Sequence, residues 1–261
     1  MLLLVPLGLL ALLAVEAAVA MRGEGVPFRV PPRTPERLGR GDPLSYVVIG
    51  DSTGVGQGAP YRQGVAARTA RALAAEHRVA LLNLAVSGAT TAEVLRDQAE
   101  PAARARPDLV LLAVGANDVT HLTGTGRLRR DLEAIVERLR SRRCDVRIVL
   151  TGAPEVGAVP RLAQPLRLVA RLRTRQLNGV VTVVAGKPGL GFARIAEETG
   201  PLFTRDRTLF AADGFHPNAR GYATWVPVVD RALARVLRAP APGTPPRTGG
   251  GRAACRPPAR P

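Results

Sequence analysis

A chain of 261 residues, less an apolar leader and a polar tail, leaves about 200, which suits one domain around one core. Its 37 Lys+Arg against 21 Asp+Glu give a net charge of +16, but Lys187 is the one lysine and aromatic residues are 3%. That composition lacks the basic clusters interleaved with stacking rings that nucleic-acid binding requires, and leaves anionic envelope polymers or lipid headgroups as the partners such a charge attracts.

Residues 2–15 are free of charge, and Glu16 is followed by small residues up to Ala20. Residues 1–21 therefore read as a leader, either a signal peptide cut after Ala20 or a membrane anchor. The expected location is the cell envelope, exported or anchored; for an uncleaved helix, the arginines at 22, 29, 33, 37 and 40 would hold the domain on the cytoplasmic side. Residues 22–43, rich in proline and arginine, read as an extended linker.

The domain is expected over residues 44–238. Near-continuous apolar runs predict strands at 44–49, 79–84, 109–114, 146–150 and 180–185. Between them, helical stretches are predicted at 63–77, from 91, at 126–142 and at 160–178, with a last helix over 217–237. Strand alternating with helix predicts a single doubly wound α/β domain with a central five-stranded parallel sheet in the flavodoxin-like order 2-1-3-4-5. In the basic stretch 161–175, Leu162, Leu166, Val169 and Leu172 are expected on one face packed on the sheet; a basic lid over an anionic lipid or glycan is the functional alternative. Residues 239–261 are a disordered tail by composition, rich in proline, glycine and arginine.

Cys144 and Cys255 show neither a disulfide framework nor metal-ligand spacing, and His77, His121 and His216 form no i, i+4 pair, so no metal or other cofactor is expected. The chemistry lies at loops. Ser52 breaks the first strand in Gly50-Asp51-Ser52-Thr53-Gly54, where the carboxyl end of a parallel strand aims it into a crevice. Taken alone it could be a helix cap. In Asp213-Gly214-Phe215-His216-Pro217-Asn218, proline keeps His216 out of the helical region, and Asp213 three residues upstream can accept its Nδ1 proton and leave Nε2 as a base. The Ser52 N–H, the Gly88 N–H and the Asn117 amide are candidate donors to a developing oxyanion. Serine, glycine and asparagine follow strands one, two and three, hence share one rim of the sheet.

This quartet, in the settings Gly-Asp-Ser-Thr, Asn-Leu-Ala-Val-Ser-Gly-Ala-Thr, Gly-Ala-Asn-Asp and Asp-Gly-Phe-His-Pro-Asn, resembles the SGNH (GDSL-type) hydrolase superfamily, close to its lysophospholipase-like bacterial esterases. The resemblance covers about residues 44–237 and departs from the common pattern at Thr53, where leucine is frequent. It implies a carboxylic ester hydrolase, an esterase or lipase-like enzyme acting as a monomer on a small-molecule, lipid or glycan acyl ester. By it, Ser52 is nucleophile, His216 base, Asp213 its orienter, and Ser52, Gly88 and Asn117 the oxyanion hole. An acyltransferase that passes the acyl group to an envelope glycan, and a noncatalytic envelope-binding module, are the alternatives.

Overall fold

The computed structural model describes residues 34–240 and, ahead of these, residues 12, 15, 16, 26, 27 and 30–32. The tail beyond 240 and most of the leader lie outside the described residues. Among the described residues, no helix is long and apolar enough to cross a membrane.

Six strands form one sheet in the order β1-β3-β2-β4-β5-β6. They are β1 (Glu36–Leu38), β2 (Asp42–Gly50), β3 (His77–Asn83), β4 (Leu109–Ala113), β5 (Arg147–Leu150) and β6 (Leu190–Phe192). From β2 onward all pairs are parallel, and without β1 the order reads 2-1-3-4-5. The sheet is nevertheless six-stranded, because β1 runs antiparallel along the outer edge of β3, with Arg37 opposite Ala80. Part of the expected linker is thus sheet, and it closes an edge that would otherwise present unpaired backbone.

Residues 46–49 of β2 are fully buried and alternate between two cores. Val47 and Ile49 face a core shared with Leu132, Ile135 and Leu177; Tyr46 and Val48 face one shared with Ala70, Tyr222 and Val229. Helices therefore cover both faces: α2 (Val65–Leu73) and α9 (Ala219–Arg238) on one, α6 (Thr125–Arg142) and α7 (Leu166–Ala185) on the other. A fully buried Val or Ile contributes roughly 1.5–3 kcal/mol, so the strand that delivers Ser52 is firmly anchored.

The second half departs from expectation. The β-branched run 180–185, read above as the fifth strand, forms the last turns of α7, with Leu177, Val181 and Val184 buried and Val183 61% exposed. Helical spacing of burial overrides strand propensity there. The fifth parallel strand is instead the three-residue β6, which follows Pro188-Gly189. Of the stripe expected over 162–172, Leu162 is buried and Leu166 packs against the core, Val169 is half-buried and Leu172 is exposed; Ala170, Thr174 and Leu177 carry the inward face of the helix itself. The stretch between 185 and the last helix, for which no element is predicted above, contains α8 (Ile195–Arg205). Cys144 is disulfide-bonded, where the spacing of the cysteines shows no disulfide framework, and Cys255 falls outside the described residues.

Candidate active site

Ser52 opens α1 (Ser52–Val55), a single helical turn at the carboxyl end of β2. The turn is tight because Gly50 sits at φ +143°, where a Cβ would lie 1.9 Å from the Ala113 carbonyl oxygen. Asp51 caps the turn: its Oδ1 accepts from the Thr53 N–H at 2.8 Å and the Thr53 hydroxyl at 2.7 Å. Ser52 is then the first helical residue, and its N–H belongs to the donors a helix start leaves without an intrahelical partner.

His216 reaches this turn from the loop ahead of α9. Its Nε2 lies 3.0 Å from Ser52 Oγ, and its Nδ1 2.6 Å from Asp213 Oδ2. Asp213 is fixed in turn, its Oδ1 accepting from the Phe215 and His216 backbone N–H groups at 3.0 Å each. Burial works to raise the Asp213 carboxyl, but the hydrogen bonds from His216 and these two backbone groups outweigh it and hold it below the ordinary aspartate value. An ionised Asp213 beside Nδ1 fixes the tautomer in which Nε2 is free to accept a proton from Ser52.

The remaining sequence candidates stand as follows. Gly88 is exposed at φ +86°, and a Cβ there would meet nothing within 4 Å. Glycine is required by backbone conformation, and the space beside it is open. Asn117 lies in α5 (Ala116–Thr120), its Nδ2 donating to the Ala89 carbonyl at 3.0 Å. That bond uses one of two amide hydrogens and ties the Asn117 loop to the Gly88 loop. His121 is exposed and donates from Nδ1 to the Asn117 carbonyl at 2.8 Å. Asp118 holds the loops together, its Oδ2 accepting from the Thr91 N–H and hydroxyl at 3.0 and 2.7 Å.

Several supporting residues were missed in the sequence. Gln98, on the π-helical turn Val94–Gln98 that joins α3 (Thr91–Glu93) to α4 (Ala99–Arg104), is 2% exposed. Its Oε1 accepts from the Gly50 N–H at 2.8 Å and its Nε2 donates to the Gly50 carbonyl at 2.9 Å. Asn83, at the end of β3, donates to the Gly54 carbonyl and clasps the other side of the turn. Thr53, the departure from the family pattern, supplies the hydroxyl that completes the Asp51 cap.

Beside Ser52 and His216 is a recess of about 30 Å³, lined chiefly by Phe203, Phe210, Phe215 and Trp225 and walled by Glu155 and Gly200. Glu155 is half-buried, and burial pushes its carboxyl up against the pull of Arg171. Among the described residues, no group of three or more His, Cys, Asp or Glu side chains could hold a metal ion.

Serine, histidine and aspartate bonded in series above the carboxyl ends of a doubly wound sheet are the architecture of a serine-hydrolase-type domain. The chain belongs to the GDSL-like Lipase/Acylhydrolase family, whose model matches residues 48–224. Over 199 residues, 74% of this chain, it is 31% identical to the GDSL-like esterase Rv1075c of Mycobacterium tuberculosis, and it spans 63% of that protein's length. Among solved structures, it superposes on TesA with a TM-score of 0.60 at 21% identity, covering 74% of this chain and 99% of that one. A phospholipase A1 from Streptomyces albidoflavus NA297 gives a TM-score of 0.56 at 21% identity over 72% of this chain and 99% of the other. At those identities the structural likeness speaks to the fold.

Proposed function

We propose that this protein hydrolyses carboxylic esters of short acyl chain through an acyl-enzyme on Ser52. The observation that carries the reading is the hydrogen-bonded series Ser52 Oγ, His216 Nε2, His216 Nδ1, Asp213 Oδ2, at 3.0 and 2.6 Å. Ser52 Oγ attacks the ester carbonyl while Nε2 takes its proton. Asp213 stabilises the imidazolium so formed. The tetrahedral oxyanion is held by the Ser52 N–H, the Gly88 N–H and the Asn117 side-chain amide. Collapse breaks the bond to the alcohol oxygen, which leaves with the proton from Nε2. Water then attacks the acyl-enzyme, giving its proton to Nε2, and the carboxylic acid departs as Ser52 Oγ regains a proton.

The size of the recess supports the chain-length assignment. About 30 Å³ holds roughly two water-sized groups, which suits an acetyl or propionyl chain. Membership of the GDSL-like family supports the reaction class. The apolar leader supports action at the cell envelope, a placement that fractionation of cells expressing the full chain tests.

The experiment is a series of p-nitrophenyl esters of increasing chain length, run on the wild type and on Ser52→Ala. Turnover highest for acetate and a drop in kcat on the order of 10⁴-fold or more in the variant are expected. Near-normal turnover by Ser52→Ala would remove Ser52 from the nucleophile role. A rate that rises with chain length would remove the short-chain assignment. A sugar alcohol in the same assay, with acylated sugar sought as product, separates hydrolysis from transfer.

A further inference from the structure

On the far side of Glu155 and Gly200, the wall of the Ser52 recess is also the wall of an open groove of about 400 Å³ between α7 and α8. Three guanidinium groups line it, Arg171 and Arg175 from α7 and Arg205 from the last turn of α8. Its two carboxylates are already engaged: Glu155 pairs with Arg171 at 3.8 Å and Glu197 with Arg194 at 3.9 Å. Arg175 adds to the field that favours the charged form of Glu155, but among the described residues neither Arg175 nor Arg205 makes a hydrogen bond or ion pair. Positive charge is thus left over in a concave place. On α7, moreover, Arg171 and Arg175 stand four residues apart, a spacing at which like charges repel.

A second observation is independent of charge. Thr174, also lining the groove, is 1% exposed, and its Oγ1 is buried with no hydrogen-bond partner. Buried hydroxyls are ordinarily satisfied, and within a helix a threonine commonly bonds the carbonyl four residues back. Thr182, on the same helix, does so, donating to the Asn178 carbonyl at 2.9 Å. Thr174 is left with an unused donor beside a groove that the three arginines also line.

We propose that this groove is a binding site for a phosphate-like oxyanion, held by Arg171, Arg175, Arg205 and the Thr174 hydroxyl. Guanidinium groups bind such oxygens through paired, charge-assisted hydrogen bonds, and a hydroxyl donor at the base of the groove adds a third direction. Because Glu155 and Gly200 separate the groove from Ser52 by a single wall, the anion is either the charged end of an ester whose carbonyl lies at Ser52 or a free anion beside it. The anion site stands on its own geometry, while its link to substrate rests on the hydrolase reading.

The test is calorimetric titration of the full chain with inorganic phosphate, on the wild type, Arg175→Gln/Arg205→Gln, Thr174→Val, and a charge-matched control, Arg62→Gln/Arg78→Gln, both exposed residues. Saturable binding is expected, weakened at least about tenfold in the groove double variant and roughly threefold or more in Thr174→Val, with the control unchanged. No saturable binding by the wild type, or equal weakening in the control, overturns the proposal, since bulk charge would then account for it. The source is read from kcat/KM for 1-acetylglycerol 3-phosphate against 1-acetylglycerol. If the groove variant lowers that ratio, the anion belongs to the ester. An unchanged ratio with lost phosphate affinity assigns the groove to a separate anion. Phosphate binding without hydrolysis of either ester sinks the hydrolase reading and leaves the groove standing.

Discussion

Gln98→Leu tests whether the serine turn is held from behind. In the wild type the Gln98 carboxamide bonds both the N–H and the carbonyl of Gly50, at 2.8 and 2.9 Å, two residues ahead of Ser52. Leucine approximates its volume and removes both bonds. The Gly50 carbonyl keeps a second donor, the Val86 N–H at 3.0 Å, but the Gly50 N–H is left buried and unsatisfied. One lost hydrogen bond at about 0.5–1.5 kcal/mol and one orphaned donor at about 1–3 kcal/mol give a cost of roughly 2–4 kcal/mol. For a domain of this size that lowers Tm by roughly 5–15 °C. The catalytic effect is expected in kcat, because a turn free to shift by a fraction of an ångström lengthens the Ser52 to His216 bond while leaving the recess walls in place. Urea denaturation and p-nitrophenyl acetate kinetics, on the same preparation, read both quantities. Stability lost with kcat unchanged would reduce Gln98 to a packing role, and stability unchanged would refute the claim that Gly50 depends on it.

Three other variants follow from the same geometry. In Asp213→Asn, the amide oxygen remains on the Phe215 and His216 N–H groups, so the NH₂ faces His216 Nδ1 and forces the tautomer protonated at Nε2; kcat should fall about 10³–10⁴-fold with the fold intact, and a tenfold loss or less would contradict the tautomer argument. Gly50→Ala places a Cβ 1.9 Å from the Ala113 carbonyl oxygen at φ +143°, and should destabilise by about 3 kcal/mol or more, measured as a shift in urea midpoint; a stable variant would show that the turn relaxes. Asp51→Asn should remove a pH dependence. Burial pushes the Asp51 carboxyl from its ordinary 3.8 to about 6, against the hydrogen bonds from Thr53. A folded value above the unfolded one means stability is present below pH 4 and lost as pH rises toward 6, by about 3 kcal/mol. The stability difference between variant and wild type should therefore grow by about 3 kcal/mol from pH 3 to pH 7 in the variant's favour, and a flat difference would refute the assignment.

How far the sequence carried depended on whether a residue's environment is set locally. The Ser52 turn, the Asp213 to His216 spacing and the positions of Gly88 and Asn117 at strand ends are written in short stretches, and the sheet brings them together because parallel strands end on one rim. Strand 180–185 failed for the opposite reason. Its valines are compatible with either period, and what decides is the surface that Leu177, Val181 and Val184 meet across the sheet, which no window of six residues contains. Edge strand β1 was hidden by the prolines and arginines around it, and its pairing with β3 is a long-range event. Gln98 was legible in principle: Val94, Gln98 and Ala102 recur at i, i+4 and i+8, all buried, so an amide occupies a place the helical pattern reserves for an apolar side chain. A polar residue at such a position must find partners, and the nearest unsatisfied backbone is at the end of the strand it packs on. The same reasoning applied to Thr174, a hydroxyl on the inward face of α7, finds no partner among the described residues, which is why it enters the anion proposal above.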